Sequence, residues 1–288
     1  TALASRLKQK DNSANKGTNG TLTVAAGSEL YRGAAALASS AALRCGVGIV
    51  RLVSVEKVIS SAAARLPECV FLPTESENGA MSYRDFARKM PAFSKSRAVL
   101  AGCGMTDCTD TGNIIAELIK YGGYQLIIDA DGLNSIKNRP ELLKSAALPP
   151  VITPHIGEMA RLTGASTDAI KSDRENTAAE FSRKYNCITV LKDCKTVISS
   201  PEGKLFVCDR PNAGLAKGGS GDVLSGIISS FAAQGYDAFD AAVCGTALHS
   251  LAAESAREKL TEYSMLPSDI VAEIPGVFAR IGKTRNYR

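Results

Sequence analysis

The amino-acid sequence predicts an α/β fold: a mostly parallel central sheet, helices over both of its faces, and an antiparallel hairpin late in the chain. Three observations carry this. Apolar β-rich runs alternate with helical patterns through most of the length, as strands joined by crossover helices do. Two short β runs near residue 200 are split by Pro201, Glu202 and Gly203, a turn signal that joins antiparallel neighbours. No internal repeat, low-complexity linker or break in composition interrupts 1–288, which predicts a single domain.

Taken in order, residues 33–43 are Ala-rich and helix-like, 48–53 and 98–100 strand-like, and 113–121 helix-like. Residues 126–129 and 151–153 read as buried strands, 175–185 as a helix, and 189–191 as a strand running into Lys192. The hairpin takes 196–199 and 205–208. Helical patterns then cover 223–231, 238–256 and 268–281, punctuated by Gly235 and Pro267.

Of the 288 residues, 45% are hydrophobic and 22% charged, so a sizeable core is expected and disorder as the main state is excluded. The 34 Lys and Arg against 29 Asp and Glu leave a net charge of +5, spread along the chain. That pattern gives no argument for nucleic acid and suits an anionic substrate. Eight cysteines without a C-x-x-C pair read as reduced thiols. The longest uncharged stretch near the motifs, 223–236, is shorter than the roughly 20 apolar residues of a bilayer span, so no membrane segment is expected. The first residues carry charge but no apolar signal core. The cytoplasm is the expected compartment, or an organelle if a targeting piece has been trimmed.

The strongest local signal is Lys217-Gly218-Gly219-Ser220-Gly221-Asp222, running into a helical pattern. A glycine loop feeding a helix start presents unpaired N–H groups backed by the positive end of the helix dipole, an anion hole. Neither the Walker loop nor the dinucleotide fingerprint is present. Asp222 reads either as the helix cap or as a general base beside a transferred phosphoryl group. His155, in Thr153-Pro154-His155-Ile156-Gly157-Glu158, follows a strand at the place where open sheets bind ligands, with Glu158 as a helix-capping alternative. Asp129 and Asp131 in Asp129-Ala130-Asp131-Gly132 fall on one side of a continuing strand, where they hold Mg²⁺ through water, or else are turn residues. Segments 27–34 and 101–104 read as strand-to-helix turns that let a ligand approach the backbone closely.

These pieces occur in one order: Lys16-Gly17-x-x-Gly20, GSELYRGA, AGCG, DADGLN, TPHIGE, LKDCKT and NAGLAKGGSGDVLSG. The combination resembles the ADP/ATP-dependent NAD(P)H-hydrate dehydratases over roughly residues 16–253. It implies a ribokinase-like three-layer α/β/α sandwich that repairs hydrated NADH or NADPH (NADHX, NADPHX) with ADP or ATP as co-substrate. It further implies Asp222 as the base, with Tyr31, Ala34, Gly104, His155 and Asp222 lining the hydrate site. The adenine nucleotide falls to Gly219 and Gly221 and to the segment Lys192, Asp193, Cys194, Lys195 and Thr196. The chain departs from the family pattern at Asp193, where Leu-Lys-Gly is usual, at Gly102-Cys103-Gly104-Met105-Thr106, where Gly-Pro-Gly-x-Gly is usual, and at Asn15, where His is usual.

The implied chemistry is phosphoryl transfer from the nucleotide, bound at 217–221, to the ring hydroxyl, followed by elimination of phosphate. Mg²⁺ is expected, because few nearby cations neutralise the transferring group. A homo-oligomer and a functional link to an NAD(P)HX epimerase are also expected; the epimerase domain fused in some relatives is not found in this stretch. A vitamin-precursor-type kinase and a non-catalytic nucleotide-binding subunit are the rival readings.

Overall fold

The structure, a computed structural model, describes residues 2–10 and 12–286. Among the described residues, eleven strands form two sheets. They are β1 (Thr21–Ala25), β2 (Ile49–Val55), β3 (Val70–Thr74), β4 (Ser76–Glu77), β5 (Ala80–Met81), β6 (Ala98–Ala101), β7 (Gln125–Ile128), β8 (Val151–Ile152), β9 (Ile188–Leu191), β10 (Lys195–Ser199) and β11 (Leu205–Asp209). Nine of them make one sheet in the order β11-β10-β9-β8-β7-β6-β1-β2-β3, and β4 and β5 pair separately. From β9 to β3 every pairing is parallel, while β10 runs antiparallel to both its neighbours. The expected sandwich and late hairpin are therefore present. No described helix is long and apolar enough to cross a membrane.

Helices Arg32–Arg44, Glu56–Ala63, Ser220–Ala233 and Ala238–Ser264 lie on one face of the sheet. Thr109–Tyr121, Arg174–Tyr185 and shorter helices cover the other. The Ala-rich composition of Arg32–Arg44 has a packing cause. A Cβ added to Gly226 would stand 2.2 Å from the Ala38 carbonyl oxygen, so the two helices meet backbone to backbone. Small side chains on both sides permit that approach, and it draws the helix after the glycine loop against the helix that follows Tyr31.

The pattern reading missed β1 and β3. β1 carries threonines at positions 21 and 23, which look solvent-facing, yet every residue of β1 is buried in the middle of the sheet. Thr23 Oγ1 satisfies itself against Ser96 Oγ at 2.7 Å, as a buried hydroxyl must. β3 contains Pro73, which a sheet tolerates at an edge.

β1 pairs with β2 on one side and β6 on the other, so the chain reverses direction across the sheet at β1. Loops diverge there at the carboxyl ends of the strands, opening the crevice where such sheets bind ligands. The N-terminal motif Lys16-Gly17-x-x-Gly20 serves packing instead: a Cβ on Gly20 would overlap the Ala233 carbonyl oxygen at 1.8 Å.

Candidate active site

At the reversal the loop after β6 passes under the start of Arg32–Arg44. Gly104, at φ 62°, leaves no room for a side chain: a Cβ there would come within 2.8 Å of Tyr31 Cβ and 2.9 Å of Ala34 Cβ. Tyr31, Ala34 and Gly104 thus form one wall, with the Tyr31 ring half exposed. Thr106, where the family pattern has glycine, takes φ 73°, and Ala130 takes φ 50°, both in the region β-branched and alanyl residues avoid. Thr106 is held there by its N–H to Asp131 Oδ2 at 2.8 Å and its hydroxyl to Ser28 Oγ at 3.1 Å. Strain of this kind gathers at binding sites.

Beneath that wall is a buried knot of charge. Asp129 follows β7, is 1% exposed, and accepts from Lys192 Nζ at 2.8 Å and from Ser225 Oγ at 2.6 Å. Burial pushes the Asp129 carboxyl up, but Lys192 and the hydroxyls of Ser225 and Thr153 outweigh it and hold it below its ordinary value. Lys192 is likewise opposed by burial and carried above the usual lysine value by Asp129 and Glu158. Cys103 Sγ lies 3.8 Å from Asp129 Oδ2, and burial raises its thiol well above the ordinary value, so it is neutral. Asp222, in the first turn of Ser220–Ala233, completes the knot. Its pKa is raised to about 6, first by burial and next by the charge of Asp129.

The strand does not persist to carry Asp129 and Asp131 on one side by alternation. β7 ends at Ile128, and the positive φ of Ala130 turns Asp131 away to cap the Thr106 N–H.

The glycine loop takes the expected form with one difference. Gly219 caps the helix at φ 100°, a conformation glycine adopts without penalty. The N–H groups of Gly221 and Asp222 have no backbone acceptor among the described residues. A Cβ on Gly221 would sit 3.3 Å from Lys192 Nζ, so the ammonium borders the helix N-terminus. Lys217 does not point at that hole. Its ammonium bonds the carbonyls of Tyr263 at 2.8 Å and Met265 at 2.6 Å, bracing the loop against the end of Ala238–Ser264, which kinks at Thr261.

His155 is the N-cap of Ile156–Thr163. Its Nδ1 accepts from Gly157 N at 2.9 Å and Glu158 N at 3.3 Å, while Glu158 Oε2 accepts from His155 N at 2.8 Å, a reciprocal capping box. An accepting Nδ1 requires a neutral ring with its proton on Nε2, and burial followed by the charge of Lys192 lowers the His155 pKa to match. The ring is half exposed, and its Nε2 lies 3.5 Å from Glu158 Oε1. Glu158, buried near Lys192, is raised to about 7 by burial.

Within the 192–196 segment only Lys192 joins the knot. The Asp193 carboxylate is held by Arg174 Nε at 2.8 Å and Nη2 at 2.5 Å, which neutralises the departure from the family pattern. Cys194 is exposed. Lys195 crosses the hairpin to Asp209 at 2.7 Å, and Thr196 is partly buried on β10. Beyond Asp209 a cavity of about 310 Å³ is lined by residues that include Arg210, Asn212, Ser250, Glu254 and Arg257.

The Cys103 sulfur and one oxygen each of Asp129 and Asp222 lie within 4.8 Å of one another. The set does not fit a resident Mg²⁺: thiol sulfur is a soft donor that a hard cation avoids, and Asp129 is already neutralised by Lys192. Sequence reasoning missed Ser225, Thr153 and Cys103 as members of the site. Each lies within a motif singled out above, and Ser225 also falls one turn after Asp222 on the same helix.

A family model described as NAD(P)H-hydrate dehydratase matches residues 22–276. The ADP-dependent (S)-NAD(P)H-hydrate dehydratase of Xanthomonas campestris is 30% identical over 93% of this chain and 91% of its own length. A bifunctional NAD(P)H-hydrate repair enzyme of Moorella thermoacetica is 31% identical over 96% of this chain and 52% of its own length. The chain thus spans about half the length of the bifunctional relatives it matches. Among solved structures, the ADP/ATP-dependent NAD(P)H-hydrate dehydratase of Bacillus subtilis, co-crystallized with ATP/Mg²⁺, superposes with a TM-score of 0.84 at 26% identity, covering 98% of this chain and 97% of that one.

Proposed function

Because the chain belongs to the NAD(P)H-hydrate dehydratase family, we propose that it removes water from the (6S) hydrates of NADH and NADPH at the expense of ADP or ATP. The observation that carries this reading is the position of Asp222. A carboxyl with its pKa near 6 stands in the first turn of a helix whose free N–H groups face the same crevice, beside the Lys192 ammonium. A base, an anion hole and a cation in one place suit phosphoryl transfer to a hydroxyl.

In this mechanism the terminal phosphate of the nucleotide rests on the N–H groups of Gly221 and Asp222, with Lys192 offsetting its charge. Asp222 takes the proton from the hydroxyl of the hydrated ring, whose oxygen attacks the terminal phosphorus. The bond from that phosphorus to the bridging oxygen breaks, releasing a nucleotide shorter by one phosphate. The ring C–O bond then breaks with its electron pair leaving on phosphate, and loss of a proton from the adjacent carbon to water restores the C=C bond. Phosphate leaves far more readily than hydroxide, which is the chemical reason to spend a nucleotide. Tyr31, Ala34, Gly104 and the Nε2 edge of His155 receive the hydrate. The segment from Lys192 through Asp193, Cys194, Lys195 and Thr196, with Gly219 at the loop, receives the nucleotide, and its nucleoside end is assigned to the cavity beyond Asp209. Mg²⁺ is assigned to the nucleotide's own phosphates, whose charge it would offset.

We assign 1–288 to one working domain, acting as a homo-oligomer in the cytoplasm. The longer bifunctional relatives support a link to a second repair activity, which we take to be the NAD(P)HX epimerase. The test is incubation with NADHX and each nucleotide while following the absorbance of the restored dihydronicotinamide. Absorbance should rise only with ADP or ATP present. Accumulation of a phosphorylated product would assign a small-molecule kinase instead, and no turnover with any nucleotide would assign a binding subunit.

A further inference from the structure

Three carboxylates, those of Asp129, Glu158 and Asp222, act on Lys192, and it is bonded to the first. Its ammonium donates to Asp129 Oδ1 at 2.8 Å, while a Cβ on Gly221 would lie 3.3 Å from that ammonium and 3.8 Å from Asp129 Oδ2. Asp129 is fixed in turn, because its second oxygen accepts from Ser225 Oγ at 2.6 Å. An ammonium paired to Asp222 instead would occupy the lone pairs that must receive the substrate proton and would hold that carboxyl ionised and weakly basic. We propose that Asp129 is a positioning residue, which clamps the Lys192 ammonium against the N-terminus of the glycine-loop helix and keeps it off Asp222, so that the phosphate site has its cation and the base stays free. The inference rests on Asp222 being the base.

The surroundings agree from every side. Asp222 is faced by Cys103 from the loop after β6, by Asp129 and Asp131 from the loop after β7, and by Lys192 at the end of β9. Lys192 is faced by Asp129, Glu158, Cys103 and His155, with the buried neutral His249 behind it. The net outcome at Asp222 is a raised pKa, to about 6: burial and the like charge of Asp129 prevail over the Cys103 thiol and the Lys192 charge.

The experiment measures kcat/KM for the hydrate against pH in the full chain, with nucleotide KM alongside. The wild type should lose activity as pH falls through about 6, where Asp222 is protonated. In Asp129→Asn the ammonium is released toward Asp222 and the like charge is lost as well, so the acidic limb should move down by about one pH unit and kcat should fall about tenfold, more than nucleotide KM changes; Ser225→Ala, which keeps the Asp129 charge, isolates the release of the ammonium. Asp129→Glu, which restores the charge, should bring the limb part of the way back. Ser225→Ala alters no charge and serves where Asp129→Asn fails to fold; it should move the limb the same way by less. An unmoved limb in the folded variants, with activity scaled evenly at all pH values, overturns the proposal. Near-normal turnover in folded Asp222→Asn overturns the base assignment itself, so the two failures are told apart.

Discussion

Two lysine–aspartate pairs stand close together in this molecule, with nearly the same geometry and very different consequences. Lys192 meets Asp129 at 2.8 Å with side chains 18% and 1% exposed, whereas Lys195 meets Asp209 at 2.7 Å with side chains 53% and 52% exposed. Water competes for the outer pair, and long side chains lose entropy to form it, so it contributes little. The inner pair is largely shielded from water, and its charges reach Asp222, Glu158 and His155. Distance alone therefore does not tell which charged pair matters; burial and the groups within reach do. The segment 192–196 divides accordingly, with Lys192 in the buried charge knot and the Lys195 side chain tying the hairpin.

The largest expected effect is at the group the inner pair acts on. Asp222→Asn should lower turnover by about two orders of magnitude or more, measured with saturating hydrate and nucleotide. It should also stabilise the fold. The folded pKa of about 6 lies above the ordinary carboxyl value, so the native state favours the protonated form, and this contribution is present below pH 4 and lost as pH rises through 6. At pH 8 the variant should be more stable by about 1–3 kcal/mol, a difference that shrinks toward pH 4 in denaturant titrations.

Lys192→Met tests the inner pair itself. It strands a buried carboxylate and should destabilise the protein by about 3–5 kcal/mol, and turnover should fall with it. A Tm no lower than that of Lys195→Met would erase the contrast between the pairs.

His155 separates capping from binding. His155→Ala should lose the helix cap, at about 0.5–2 kcal/mol, and raise the KM for hydrate more than that for nucleotide. His155→Asn keeps a capping oxygen and should restore Tm while leaving the hydrate KM high; a full return of KM would make His155 a structural residue only. The smallest effect is expected from Lys195→Ala, with unchanged Tm and a nucleotide KM within about threefold of wild type.

Much of this was legible in the sequence, for identifiable reasons. The parallel sheet and hairpin announce themselves because β-rich runs, helix periods and the Pro201–Gly203 turn are local signals, and the glycine loop with Asp222 is contiguous. The Lys192–Asp129 pair is not local. Its members are 63 residues apart and meet because β7, β8 and β9 are consecutive in the sheet, which no spacing rule reports. Lys217 looked like a phosphate ligand from its place in the motif, and only the kink at Thr261 supplies the carbonyls that claim it. His155 reads from the sequence as a ligand or a structural group; its Nδ1 caps the following helix, and the ring is half exposed.

The central claim is that the nucleotide phosphorylates the ring hydroxyl before water is lost, with Asp222 as base. The direct measurement is to label that hydroxyl with oxygen-18 and to locate the label after turnover by mass spectrometry. Phosphorylation followed by elimination carries the ring oxygen away on phosphate, so the label should appear in inorganic phosphate, one for each dihydronicotinamide restored. Label found in water, with unlabelled phosphate, would show that hydroxide leaves directly and would contradict the account.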